Sequence, residues 1–490
     1  MPQRRPGPPR MHPRRAEPFL DLDPADLDRV RTALRAADPD GHLAPIGLRH
    51  LVIGGDALPR LSDVVAAVAR SPRVVLVQDA TPMRRGTGDL KPDVARLLAA
   101  RFALEVAVIG RGRAEIHGDE QDLAQATAAV EGAGCAVALG SGTITDLCKE
   151  ATRLAGGVPL VVVQTAASVN AFADDLAVLV RAGTKRTTPS RWADALLIDL
   201  QVLADAPPAM TLAGFGDLMA VWTAPADWSL ASRLGMDDAY HPAPVAMLVE
   251  PARAMLAAAP GLAARRPEAL DRLARLLTLS GMAMGVARTT APLSGTEHLI
   301  SHLIDMAAIG AGRPTALHGA QVGVCAVVAA AAWQVFLDEF DPAQADLERA
   351  FPDEATMEPV VRGAFASTDA DGRAGDECWN DVRRKLRRWQ AARPCLKAFL
   401  SAWPRHRAAL AAMTLPPERL ADALRSAGAP VRFSDLAPPV PAEVARWALG
   451  CGHLMRNRFT LLDLLAVLGR WDERGVARVL DRARAAGGGL

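Results

Sequence analysis

Ala136-Val137-Ala138-Leu139-Gly140-Ser141-Gly142-Thr143-Ile144-Thr145-Asp146 passes from an apolar run through a pair of glycines into a helix-forming stretch. Apolar residues without polar alternation suit a strand buried on both faces, as in a parallel sheet covered by helices. A glycine turn between strand and helix aims backbone N–H groups and a helix N-terminus at an incoming phosphate, which suits a pyrophosphate. The glycines depart from GxGxxG spacing, so the turn points to phosphate chemistry without the usual dinucleotide fingerprint. A second run, Leu160-Val161-Val162-Val163-Gln164, opens into Thr165-Ala166-Ala167-Ser168-Val169-Asn170, a small-residue turn rich in hydroxyls. Two such turns at adjacent strand ends form one crevice at the carboxyl edge of a parallel sheet.

Outward from this pair, short Val/Ile/Leu runs at 74–77, 106–109 and 195–198 alternate with amphipathic stretches. Beyond Pro207 the pattern turns helical, with apolar spacing of three and four residues at 254–259, 270–279, 322–336, 382–389, 396–403 and 441–451. The expected fold is an N-terminal α/β Rossmann-like domain with a parallel sheet, followed by an all-α domain, with the active site in the cleft between them. The expected boundaries are 1–45 for a basic, Pro-rich disordered tail plus a leading helix, 46–205 for the α/β domain and 206–490 for the helical domain.

With 490 residues, 50% of them hydrophobic, the chain can bury two substantial cores. A net charge of +1 gives no bulk attraction to nucleic acid or anionic membrane. The six cysteines show no CxxC pairing or framework spacing and read as reduced thiols of a cytoplasmic protein. Met1–Arg15 is rich in Arg and Pro, lacks the apolar core of a signal peptide, and has no interleaved aromatics for base stacking. The longest apolar stretch, 322–337, is short and alanine-rich, as in a buried bundle helix rather than a membrane span.

Three side chains far apart in sequence look like one metal site: Asp217 in Ala213-Gly214-Phe215-Gly216-Asp217-Leu218, His298 in Ser294-Gly295-Thr296-Glu297-His298, and His318 in Leu317-His318-Gly319. Two imidazoles and a carboxylate suit a divalent first-row cation, and three protein ligands leave positions open for an alcohol, carbonyl or water. Gly214, Gly216, Gly295 and Gly319 flank these positions, where a missing Cβ permits close approach. His302 follows His298 by four residues, so on a helix both rings share a face.

Together these segments resemble the sn-glycerol-1-phosphate dehydrogenases, within the larger group of dehydroquinate synthase-like and iron-containing alcohol dehydrogenases. The resemblance runs from about Leu51 to about Glu473, and includes Ala374–Asp381 and Arg456–Asp463 near the C-terminus, which look like the bacterial branch. It implies that Asp217, His298 and His318 hold the metal, zinc first and iron or nickel next. It implies catalytic and substrate-binding roles for Asp217 and His302, and a substrate-binding role at position 170. Gly140, Ser141, Gly142, Thr143, Asp146, Thr165, Ser168 and position 174 would bind the cofactor. Asp79, after the strand Val74-Val75-Leu76-Val77-Gln78, falls where relatives set a carboxylate against the adenine ribose, favouring NAD over NADP.

Three positions depart from the family pattern. Asn170 replaces an Asp that contacts substrate, Asp174 replaces a serine near the cofactor, and Ala320 replaces a glutamate after His-Gly. The implied activity is NAD(H)-dependent, metal-assisted interconversion of a small polyol phosphate and its ketone, with dihydroxyacetone phosphate as the model ketone. The departures leave room for a changed substrate. Lys185 and Arg186 are candidate phosphate contacts. The alternatives are a dehydroquinate synthase-like cyclase that recycles NAD, and a non-catalytic NAD-binding regulatory homologue. A phosphorylated or polyol small molecule is the expected partner, in a homo-oligomer, with no nucleic acid and no membrane span.

Overall fold

The structure, a computed structural model, describes residues 17–113, 116, 118–181, 184–366 and 372–490. The Arg/Pro-rich stretch Met1–Arg15 and the side chain of Lys185 lie outside the described residues. The described chain groups into two compact units, one of residues 17–215 and 246–289, the other of residues 216–245 and 290–490.

The first unit is built on six parallel strands: β1 (His50–Gly54), β2 (Arg73–Gln78), β3 (Ala103–Val108), β4 (Cys135–Gly140), β5 (Leu160–Gln164) and, after a hairpin of β6 (Leu176–Arg181) and β7 (Thr184–Pro189), β8 (Ala195–Asp199). Their spatial order is β1-β8-β5-β4-β2-β3, all in parallel register. Every residue of β4, β5 and β8 is buried, which is why these segments read as unbroken apolar runs. The chain winds outward from β2 to β3, then returns to the other side of β2 as β4 and continues through β5 to β8. The reversal lies between β2 and β4, so a crevice opens beyond their carboxyl ends. Gln78 is in register with Leu139, and Gly140 with Gln164, which brings the turns after β2, β4 and β5 side by side. From the turn after β4 rises α1 (Gly142–Leu154).

The division of the helical part departs from the expected boundary at 206. Helix α2 (Pro208–Asp217) runs across residue 215, and most of α3 (Pro242–Ala263) and all of α4 (Pro267–Ala287) belong to the sheet unit. Close backbone packing accounts for this. A Cβ on Gly281 of α4 would sit 2.5 Å from the Asn170 carbonyl oxygen, so α4 lies directly on the turn after β5. The Ala44 N–H also donates to the Val286 carbonyl at 2.8 Å.

The second unit contains α5 (Thr296–Gly310), α6 (His318–Glu339) and further helices to the C-terminal Glu473–Ala485. Trp333 and Phe336 of α6 share its core with α5 and with Trp389, Phe399, Trp403 and Leu461. Helices α3 and α6 are long and apolar enough to cross a bilayer, but 83% of the apolar window of α6 is buried within the fold, as a core helix requires. The expected helix at 396–403 is broken: Arg393–Ser401 and Trp403–Ala411 are separate, with Pro394 and Pro404 each at the start of a helix, where a missing N–H costs nothing.

Candidate active site

In the helical unit, Asp217 ends α2, His298 stands in the first turn of α5 and His318 opens α6. Backbone proximity makes the cluster. A Cβ on Gly216 would lie 2.3 Å from the Gly319 carbonyl oxygen, so only glycine lets the end of α2 reach the start of α6. Gly295 does the same for α5, where a Cβ would meet Asp227 Oδ2 at 2.6 Å. The donor atoms of Asp217, His298 and His318 all fall within 4.8 Å of one another.

Asp217 is buried, and its Oδ1 has no polar partner other than His298 Nε2, 3.4 Å away. A buried anionic oxygen left in that state is costly unless a cation meets it. Glu297 Oε1 lies 3.0 Å from His298 Nδ1, which places the proton on Nδ1 and turns Nε2 toward Asp217. Glu297 is itself fixed by the Gly295 N–H at 2.6 Å and the Thr223 hydroxyl at 2.7 Å. Burial works against a charged His298, but hydrogen bonding and charge from Asp217 and Glu297 outweigh it and lift the imidazole to about 9. The pocket is thus cation-seeking, and a divalent metal would replace a proton there. The donor set fits a metal.

His302 lies one turn beyond His298 on the same face, with ring centroids 6.2 Å apart, and 5.4 Å from the ring of His318. Three imidazoles therefore converge on one space. Glu297, Thr223 and Asp227 were not singled out from the sequence, though an acid directly preceding a ligand histidine was a signal for Glu297. Asp227 accepts from the Thr296 N–H at 2.7 Å and the Leu461 N–H at 2.9 Å, tying the start of α5 to the start of the helix Leu461–Val467. Burial, reinforced by the charge of Glu297, pushes its carboxyl up to about 7.

The sheet unit carries the other half of the expected chemistry. A cavity of about 400 Å³ lies beyond the carboxyl ends of β2, β4 and β5, lined by Asp79, Thr81, Arg84, Ser141, Thr143 and Thr165 among others. Ser141 is the N-cap of α1 but its side chain makes no capping bond, which leaves the first N–H groups of the helix to a ligand. Gly140 and Gly142 shape this turn, and Ser168 is buried in the turn after β5. Asp79 is not a bare carboxylate. Lys91 Nζ contacts its Oδ1 at 3.0 Å, and the Thr81 hydroxyl and N–H donate to it at 2.9 and 3.1 Å.

Asp146 and Asp174, expected at the cofactor, both lie against a buried lysine. Lys149, fully buried, reaches Asp174 Oδ1 at 2.6 Å, the Leu176 carbonyl at 2.9 Å, the Ala171 carbonyl, and Asp146 Oδ1 at 3.5 Å. Burial alone would lower the ammonium, but the charges of Asp174 and Asp146 hold it above its ordinary range. Asp146 Oδ2 meanwhile accepts from the Val178 N–H at 3.0 Å. Both carboxylates are engaged with Lys149 and the hairpin, whereas Ser141, Thr143 and Thr165 face the cavity.

Residues 52–207 match the family model for iron-containing alcohol dehydrogenases. Among proteins of assigned name, the glycerol-1-phosphate dehydrogenase [NAD(P)+] of Bacillus subtilis is 32% identical over 307 residues, covering 61% of this chain and 76% of that one. The chain belongs to the glycerol-1-phosphate dehydrogenase family. The Bacillus licheniformis protein of the same name aligns more fully, at 26% identity over 90% of this chain and 94% of its own. Glycerol dehydrogenase of Schizosaccharomyces pombe shares the fold, with a TM-score of 0.54 at 14% identity over 90% of this chain and 92% of that one. Against this family's pattern, Asn170 is half-buried at the end of the turn after β5, Asp174 is neutralised by Lys149, and the methyl group of Ala320 packs on the apolar core of its unit.

Proposed function

We propose that this chain is an NAD(P)-dependent, metal-assisted dehydrogenase of a small polyol phosphate, with glycerol 1-phosphate and dihydroxyacetone phosphate as the first pair to test. The observation that carries the proposal is the convergence of the donor atoms of Asp217, His298 and His318 within 4.8 Å of one another, with the buried Asp217 Oδ1 met by no group but His298 Nε2. The names of the Bacillus relatives support the substrate class.

Asp217, His298 and His318 would hold the cation, with Glu297 fixing the imidazole of His298. When bound, a divalent metal supplies a Lewis acid for the substrate oxygen, and the nicotinamide supplies the hydride acceptor or donor. The turn Gly140–Thr143 and the N-terminus of α1 would take the pyrophosphate. His302 would pass the proton between the substrate oxygen and solvent.

An assay following the reduced nicotinamide tests the activity. Net NADH or NADPH consumption with dihydroxyacetone phosphate supports the dehydrogenase, whereas product without net consumption points to a cyclase and binding without turnover overturns the enzyme. The amide of Asn170 offers both an acceptor and donors where a carboxylate offers acceptors alone. Turnover of glycerol 1-phosphate is therefore expected to be weak in the natural chain and to rise about tenfold or more in Asn170→Asp, the scale of one good hydrogen bond. Wild-type efficiency already on the order of 10⁴ M⁻¹s⁻¹ would remove any specificity role from this position.

Cofactor choice would rest on the Asp79–Lys91 pair. The carboxylate disfavours a 2′-phosphate while the ammonium attracts one, so the natural chain should accept both dinucleotides, with NAD preferred. Asp79→Ala frees Lys91 and should improve NADP binding roughly tenfold, whereas Lys91→Ala exposes the carboxylate and should sharpen the preference for NAD by a similar factor. Calorimetric titration of each variant with both dinucleotides measures this. Equal and parallel changes for NAD and NADP would make the pair merely structural.

A further inference from the structure

We propose that the metal site has a second seat, formed by His302, Asp305 and His318, which shares His318 with the set Asp217, His298 and His318. This rests on the metal site proposed above and adds to it a position that the first three ligands do not describe. The donor atoms of His302, Asp305 and His318 lie within 4.8 Å of one another, as those of the first set do. His302 and Asp305 are three residues apart on α5, so one helix face presents both. Asp305 is 3% exposed, and Gln321 Nε2 donates to its Oδ1 at 2.8 Å, the kind of outer contact that orients a ligating carboxylate. Gln321 lies on α6 three residues after His318, so α6 supplies the shared ligand and the group that aims Asp305.

Each set is one carboxylate and two imidazoles, an N/O donor set of the same affinity class for first-row divalent cations. Simultaneous occupancy would require His318 to serve two ions. With a single ion the shared ring acts as a pivot. In the first seat the cation does not use His302, which then serves the substrate. In the second it occupies His302 and leaves Asp217 and His298 without it, so the second seat holds metal in a form unable to turn over. The seats thus separate metal retention from activity.

The test uses Co²⁺ alone, with binding followed by its visible absorption bands and by metal analysis after gel filtration, and with circular dichroism verifying the fold of each variant. The chain carrying Asp217→Ala should still take up one Co²⁺ with a changed spectrum. Adding Asp305→Asn to it should weaken that uptake at least about tenfold, the scale of losing a ligand or its support. His318→Ala should bind at neither seat. If Asp217→Ala binds no Co²⁺ while the natural chain binds one, the second seat is refuted and the first stands. Should Asp217→Ala keep Co²⁺ regardless of Asp305→Asn, the retained ion sits elsewhere and the second seat is equally refuted. A natural chain that binds no Co²⁺ refutes both seats.

Discussion

His318→Ala should leave the protein folded, free of bound divalent metal and with kcat/KM reduced on the order of 10³-fold or more, because polarisation of the substrate oxygen is worth several kcal/mol. His318 is the residue to change because it belongs to both of the His/Asp clusters among the described residues whose geometry could hold a metal ion. Asp217→Ala should reduce turnover to the same degree, since it removes the carboxylate whose Oδ1 lacks any other partner. His302→Ala should behave differently. Its loss should lower kcat while Co²⁺ remains in the first seat with an unchanged spectrum. Metal analysis beside steady-state kinetics separates the two patterns, and an active His318→Ala protein would dismiss the site.

Lys149→Met should destabilise the sheet unit by about 3–5 kcal/mol, the usual result of removing one partner of a buried ion pair. Lys149 and Asp174 are 0% and 3% exposed at the side chain, and Asp146 lies 3.5 Å from the same ammonium. The substitution strands two carboxylates without water. Changing Asp174→Ser as well should recover a substantial part of the loss, because the more tightly held anion disappears along with its cation. Urea unfolding of the single and double variants gives the comparison. A double variant no more stable than Lys149→Met would mean that Asp174 is not coupled to Lys149.

This pair also shows where the sequence stops being legible. Asp174 reads as a departure near the cofactor, and nothing in the sequence pairs it with Lys149. Their contact joins residues 25 apart through a fold no periodicity announces. The parallel strands were readable because burial on both faces imposes continuous apolar runs on β4, β5 and β8. The clustering of Asp217, His298 and His318 was readable because few side chains suit that chemistry and glycines flank them. Glu297, by contrast, acts through the nitrogen of the next residue, and its place before His298 is the one mark that sets it apart from a surface acid. Asp79 lines the cavity beyond β2, but Lys91, 12 residues on, changes the charge that a nucleotide would meet there.

Assignment of residues 246–289 to the sheet unit has a consequence for how the protein is made. The chain enters, leaves and re-enters the two units, crossing at 215, 245 and 289. A ribosome that has delivered every strand has therefore not yet delivered α4, the helix that lies against the turn at Asn170. The sheet must wait, its turn uncovered, while the first segment of the other unit emerges. Synthesis order and folding order thus diverge, and a gene fragment cut at the end of the last strand encodes an unfinished unit rather than an autonomous one.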